Sequence, residues 1–152
     1  MRRRFTPVGV AGEVTVADCY ADHHNEIAAD LDAAHQVAGD RQVIAVVQPS
    51  GYARVRTFGR QMGAVLAIGA DCTIMLDVHG TDPIPGVSCA LVGEAAIAAG
   101  GHVRYATGHH PADLVAAIAR PGDVVVLLGT GDVSGLAMPI LTRLRETAGQ
   151  YV

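Results

Sequence analysis

The chain predicts a three-layer α/β domain built on one six-stranded, mostly parallel sheet. Three observations predict it. Short, largely apolar runs such as Val43–Val47 and Asp123–Leu128 have strand length and suit strands covered on both faces. Segments of helical period follow such runs five times, the order that gives right-handed βαβ units with helices on both faces of the sheet. The 152 residues, half of them apolar and only 17% charged, suffice for one domain. A chain of this size buries roughly two-thirds of its unfolded surface without disulfides or a structural metal.

The elements follow in order. Arg4–Gly9 and Glu13–Ala17 read as an opening hairpin around Val10-Ala11-Gly12, which makes the N-terminal strand the antiparallel one. The first helix is expected from about Asn25, a suitable cap. Ile27, Leu31, Ala34 and Ala38 share one face of it, and Gly39-Asp40 ends it. After the Val43–Val47 strand come a loop at 48–53, a helix over Arg54–Gly69 and a buried strand over Cys72–Leu76. A Pro- and Gly-rich loop, Asp77–Val87, leads to a helix at Leu91–Ala99 and a short strand at His102–Tyr105. Pro111 suits a helix first turn and Pro121-Gly122 closes that helix; Asp123–Leu128 is the last strand and Val133–Glu146 the last helix. No linker, repeat or low-complexity segment divides residues 1–152, which read as one domain.

Composition excludes several functions. All 11 basic residues are arginines, so no phosphate-loop lysine, Schiff-base lysine or lysine general base exists. A net charge of −4 and a pI near 5.9 argue against nucleic-acid binding, and Arg2-Arg3-Arg4 reads as a solvated terminus. The N-terminus lacks a signal-type apolar core, and no apolar run approaches the roughly 20 residues of a membrane span, so a cytoplasmic protein is expected. Cys19, Cys72 and Cys89 are odd in number and widely spaced, which suits a reducing compartment.

The polar stretch 18–27 follows a strand and opens a helix, so its side chains should gather at the carboxyl edge of the sheet. Cys19, Asp22, His23 and His24 lie within six residues of one another. Three readings stand: an acid/base pair of His23 oriented by Asp22; a metal set of His23, His24 and Cys19 completed by His79, His109 or His110; and a polar loop that caps the helix. The spacing is that of no specific zinc motif, and adjacent histidines in an extended loop point in roughly opposite directions. His109-His110 before Pro111 reads as a helix start, and His35 and His102 as surface positions. Gly129-Thr130-Gly131-Asp132 reads as a tight strand-to-helix turn, with anion binding by its amides as the alternative. Asp77 either lines the same crevice or caps its loop.

Four segments together carry a resemblance. They are Asp18–Ile27; Gln48-Pro49 with Tyr52-Ala53-Arg54; Asp82-Pro83-Ile84-Pro85-Gly86-Val87; and Pro121–Val125 through Gly129-Thr130-Gly131-Asp132. In order and spacing, over nearly the whole chain, they resemble the C-terminal domain of Mur ligases, most like the UDP-N-acetylmuramate–L-alanine ligase type. The resemblance implies a Rossmann-like fold. It also implies a reaction in which ATP activates a carboxylate as an acyl phosphate and an amino acid displaces the phosphate, in a site built mainly by a central domain. That domain carries the phosphate loop and the metal ligands. No Gly-x-x-x-x-Gly-Lys-Ser/Thr pattern stands in this sequence, so ATP and Mg are expected only through a partner domain.

The motif departs from the family pattern at several letters. Cys19 replaces an Asp expected to contact the nucleotide ribose, Asp22 replaces a His, and His24 replaces a Pro. Ser50 and Gly51 replace a His and an Arg, and His79 stands where the family tends to have Tyr. Arg54 is retained, and the resemblance implies that it grips a carboxylate; Arg56 also matches, and Tyr20, Ser50 and His79 complete the expected substrate-binding set. The leading expectation is an amino-acid or small-carboxylate site. Arg54 holds the carboxylate there, and His23 and Asp22 position or deprotonate the amine, completing an amide-forming ligase whose ATP-binding half is a separate chain. Two alternatives remain: a repurposed ATP-independent or metal-dependent catalyst on Asp22, His23 and His24, and a non-catalytic binding protein of a biosynthetic pathway.

Overall fold

The computed structural model describes residues 5–149, so Arg2-Arg3-Arg4 and the expected strand start at Arg4 lie outside the described residues. Six strands form one sheet in the order β1-β2-β6-β3-β4-β5. They are β1 (Thr6–Ala11), β2 (Val14–Cys19), β3 (Val43–Val47), β4 (Cys72–Met75), β5 (Val103–Tyr105) and β6 (Val124–Leu128). Only β1 runs antiparallel, against β2. The helices are α1 (His24–Ala38), α2 (Tyr52–Gly69), α3 (Ala90–Ala98), α4 (Pro111–Ile118) and α5 (Ala137–Gly149). The expected fold class is the one observed.

The central strands show why continuous apolar runs were needed. Side chains alternate across a strand, and both faces of β3 and β6 meet helices. Val43, Ala45, Val47, Val124, Val126 and Leu128 pack with Ile27, Leu31, Met62 and Leu66 from α1 and α2. Ile44, Val46, Val125 and Leu127 pack on the other face with Val115, Ile140, Leu141 and Leu144 from α4 and α5. Helices α2 and α3 approach closely because Gly63 has no side chain: a β-carbon there would lie 2.6 Å from both the Ala95 β-carbon and the Val92 carbonyl oxygen. No helix among the described residues is long and apolar enough to cross a membrane.

Several boundaries differ from expectation by a residue or two, and two of the differences have a clear physical cause. The hairpin turns at Gly12 and Glu13, with φ of 56° and 63°, rather than at Val10-Ala11-Gly12. Positive φ at both positions matches the right-handed twist of two strands joined by two residues, so β1 continues to Ala11 and β2 runs on to Cys19, each ending two residues later than expected. The last helix is split into a 3-10 segment, Asp132–Leu136, followed by α5. Pro139 explains the break: its ring clashes with the carbonyl four residues back and it lacks an N–H, so it suits the first turn of α5 and not the middle of a longer helix.

The insertion of β6 between β2 and β3 positions the site. It brings the loops after β2, β6, β3 and β4 together at the carboxyl edge, where the strand order reverses and α/β folds leave a crevice.

Candidate active-site face at the carboxyl edge of the sheet

Hydrogen bonds join three of these loops into one surface. The loop after β3 pairs with the loop after β4 through a parallel bridge between Ser50 and His79, in which the His79 N–H donates to the Pro49 carbonyl at 2.7 Å and the Gly51 N–H to the His79 carbonyl at 2.8 Å. Gly51 adopts φ 83°, which glycine tolerates and which lets the chain turn directly into α2. The loop after β6 is tied to the same segment: the Thr130 hydroxyl donates to the Ser50 hydroxyl at 3.1 Å, and the Val133 N–H donates to Gln48 Oε1 at 3.2 Å.

A fourth contact attaches the loop after β2. Arg54, in the first turn of α2, donates from Nη1 to Oδ2 of Asp22. The side chains are 43% and 24% exposed, so both reach solvent. A cation in the first turn of a helix opposes the helix dipole, and an adjacent carboxylate offsets that repulsion. Arg54 also lines an open groove of about 550 Å³ with Ser50, Tyr52, His79, Asp82 and Ile84. A second groove, of about 360 Å³, lies beyond His79 and is lined by Gln48, Asp77, Pro111, Asp132 and Leu136. His79 borders both, and its Nδ1 lies 3.8 Å from Asp132 Oδ2.

The expected acid/base pair does not form. Asp22 engages Arg54, and His23 is the N-cap of α1. Its Nδ1 accepts the Asn25 N–H at 3.1 Å, while its own N–H donates to Glu26 Oε1 at 3.2 Å, so the two residues form a reciprocal capping box. Asn25, the expected cap, lies inside the helix. An imidazole accepting at Nδ1 carries its hydrogen on Nε2 when neutral, so the capping bond occupies the nitrogen that could have accepted a proton.

The expected metal set does not assemble either. Cys19 is fully buried in the core, which also removes it from the nucleotide-contact position implied by the family pattern. His24 does not point away from His23. The start of α1 turns the two rings into a stack with centroids 4.2 Å apart, and both lean on Phe58 at 5.6 Å. Burial, and then the neighbouring His23, hold the His24 pKa below its ordinary 6.5. Among the described residues no three His, Cys, Asp or Glu side chains are placed to hold a metal ion. Burial and then Asp77 push the Cys89 thiol pKa up, which disfavours a thiolate nucleophile.

The other named positions divide. Ser50, His79 and Arg54 come together, and Asp77 lines the second groove. Arg56 does not join them: two residues along a helix is about 200° around it, and Arg56 lines a separate groove between α2 and α3 with Arg60 and Glu94. Tyr20 is 40% exposed in the loop after β2 and borders neither groove. His110 caps α4, its Nδ1 accepting the Ala112 N–H at 3.1 Å. His35 is more than a surface residue, since its Nε2 lies 2.7 Å from the Gly69 carbonyl oxygen at the end of α2. Sequence reasoning missed Gln48 as the clasp between loops and Phe58 as the shelf beneath the histidines. The second had a signal, because Phe58 is four residues after Arg54 and so on the same helical face.

Comparison with known proteins fits this geometry. The family model of the Mur ligase, glutamate ligase domain matches residues 3–131. The chain is 41% identical over 151 residues to the UDP-N-acetylmuramate–L-alanine ligase of Streptomyces avermitilis and 45% identical over 150 residues to that of Cutibacterium acnes. These alignments cover 96% and 95% of this chain but 32% and 31% of the relatives, so it spans about a third of their length. In fold it is similar to the UDP-N-acetylmuramate–alanine ligase of Thermotoga maritima, with a TM-score of 0.74 at 17% identity, covering 97% of this chain and 31% of that one. It is also similar to a domain of a UDP-N-acetylmuramate:L-alanyl-γ-D-glutamyl-meso-diaminopimelate ligase candidate from Haemophilus ducreyi, with a TM-score of 0.67 at 22% identity, covering 93% and 99% of the two chains. Extended over most of its length by the family model and by two relatives above 40% identity, the likeness shows that the chain belongs to the Mur ligases, as their C-terminal, glutamate ligase domain.

Proposed function

We propose that this domain supplies the amino-acid-binding face of an ATP-dependent acid–amino-acid ligase whose ATP-binding half is on another chain. ATP and Mg are the partner's to hold, and no residue of this domain is assigned to them. One observation carries the reading: Arg54 opens onto a groove at the carboxyl edge, on a surface that hydrogen bonds between three loops hold in place. A guanidinium so placed can bind a carboxylate through two parallel N–H···O bonds and so set the direction of the attached amine.

The domain's part in the reaction is orientation. Fixing the amine against an acyl phosphate replaces a bimolecular encounter with a near-unimolecular step. The capping bond at His23 Nδ1 leaves proton removal from the amine to another group. The relatives named as joining L-alanine make that amino acid the first ligand to try.

Titration of the labelled domain with L-alanine, followed through its amide and arginine side-chain resonances, tests the reading. Shifts at Arg54 and around the groove are expected, with affinity falling about tenfold or more in Arg54→Ala, the range for a lost hydrogen bond to a charged group. An unchanged affinity in Arg54→Ala would refute the assignment.

A further inference from the structure

Arg54 is not a bare cation. The Nη1–Oδ2 contact already places one carboxylate, that of Asp22, on its guanidinium, and Asp22 remains partly open to solvent. A ligand carboxylate reaching the remaining N–H groups brings a second negative charge to the same guanidinium. Two carboxylates around one cation repel each other, so a simple anion is penalised. A ligand that carries its own ammonium next to its carboxylate escapes the penalty: its charges sum to zero, and the ammonium meets a site that already holds an acceptor. No other Lys or Arg borders the Arg54 groove among the described residues, and the Asp82 carboxylate in its lining adds to the negative charge instead of offsetting it.

We infer that Asp22 is a specificity-determining residue that makes the Arg54 site select zwitterionic α-amino acids over simple carboxylates. The inference rests on the carboxylate role proposed for Arg54 and adds the residue that sets the discrimination. Asp22 does this by setting the charge of the site, and needs no direct contact with the ligand's ammonium. It acts with Arg54 and not with His23, so its effect is independent of proton transfer.

The test compares L-alanine with propionate, which has the same carbon skeleton without the amine. Dissociation constants for both are measured by the same resonance titration in the wild type, Asp22→Asn and Arg54→Ala, with Asp22→Ser as a second neutral variant and the amide spectra as the control for folding. The expected result is that the preference for L-alanine over propionate falls by at least about threefold in both Asp22 variants, the scale of an exposed charge pair. Most of that change should come from tighter propionate binding. A preference that is unchanged or larger overturns the inference. If the preference stays constant while Arg54→Ala weakens both ligands, the Arg54 reading survives alone. If Arg54→Ala changes neither ligand, or neither ligand shifts the spectrum at the highest concentration that keeps the protein folded, the Arg54 reading fails and takes the inference with it.

Discussion

The α-carbon of Gly131 faces the imidazole of His79 so closely that a β-carbon there would lie 2.6 Å from its Cγ and Cδ2 and 2.8 Å from Gln48 Oε1. What a side chain at Gly131 would lack is space. Gly131→Ala should therefore displace the Gln48 side chain, which clasps two loops, and the His79 ring beside it. The expected destabilisation is about 1–2 kcal/mol, since side chains yield more easily than backbone. Chemical denaturation checks the magnitude, and a shifted His79 resonance checks the cause.

Gly63 presents the opposite case. There a β-carbon would meet α3 backbone, 2.6 Å from the Val92 carbonyl oxygen and 2.7 Å from the Ala96 nitrogen. Gly63→Ala should destabilise by about 2–3 kcal/mol even after the roughly 1 kcal/mol that alanine returns in helix propensity. At Gly93 the obstacle is the far end of the Tyr105 side chain, with the hydroxyl 2.1 Å away, which can swing aside. Gly93→Ala should be the milder variant, and parallel denaturation curves decide it. Equal losses would mean that the two helices adjust as rigid bodies.

His24 gives the domain an acid-sensitive component. Its Nδ1 is buried without a partner, and its folded pKa lies below 6.5 because of burial and then because of His23. The unfolded chain therefore binds the proton more readily. Stability is full above pH 6.5 and declines as pH falls below it, until the folded form is protonated as well. His24→Gln should flatten that part of the stability–pH profile and leave the profile at higher pH unchanged. A variant that keeps the full acid-side slope would assign it to another histidine.

The fold was legible because its signals are local. Val43–Val47 and Val124–Leu128 have the length and continuous apolarity of strands covered on both faces, and the five-fold alternation suits crossovers. The loops were legible in position but not in partnership. Asp22 and Arg54 are 32 residues apart, and Gln48 and Val133 are 85 apart, so their pairing depends on β6 entering between β2 and β3. Periodicity carries no trace of that insertion. His23 as a cap was missed for a different reason: serine, threonine, aspartate and asparagine dominate that position, and Asn25, two residues on, supplied a conventional choice. Glu26, three residues after His23, was the overlooked half of the capping box.

The central claim is that this domain completes a ligase by presenting an amino acid at Arg54. The most direct test joins it to the first two domains of the Streptomyces avermitilis relative, in place of that protein's own C-terminal third, and measures phosphate release from ATP with UDP-N-acetylmuramate present. The account predicts release that depends on L-alanine or another α-amino acid and is lost in Arg54→Ala. A chimera that folds and binds ATP, yet releases no phosphate in response to any common amino acid, would contradict it.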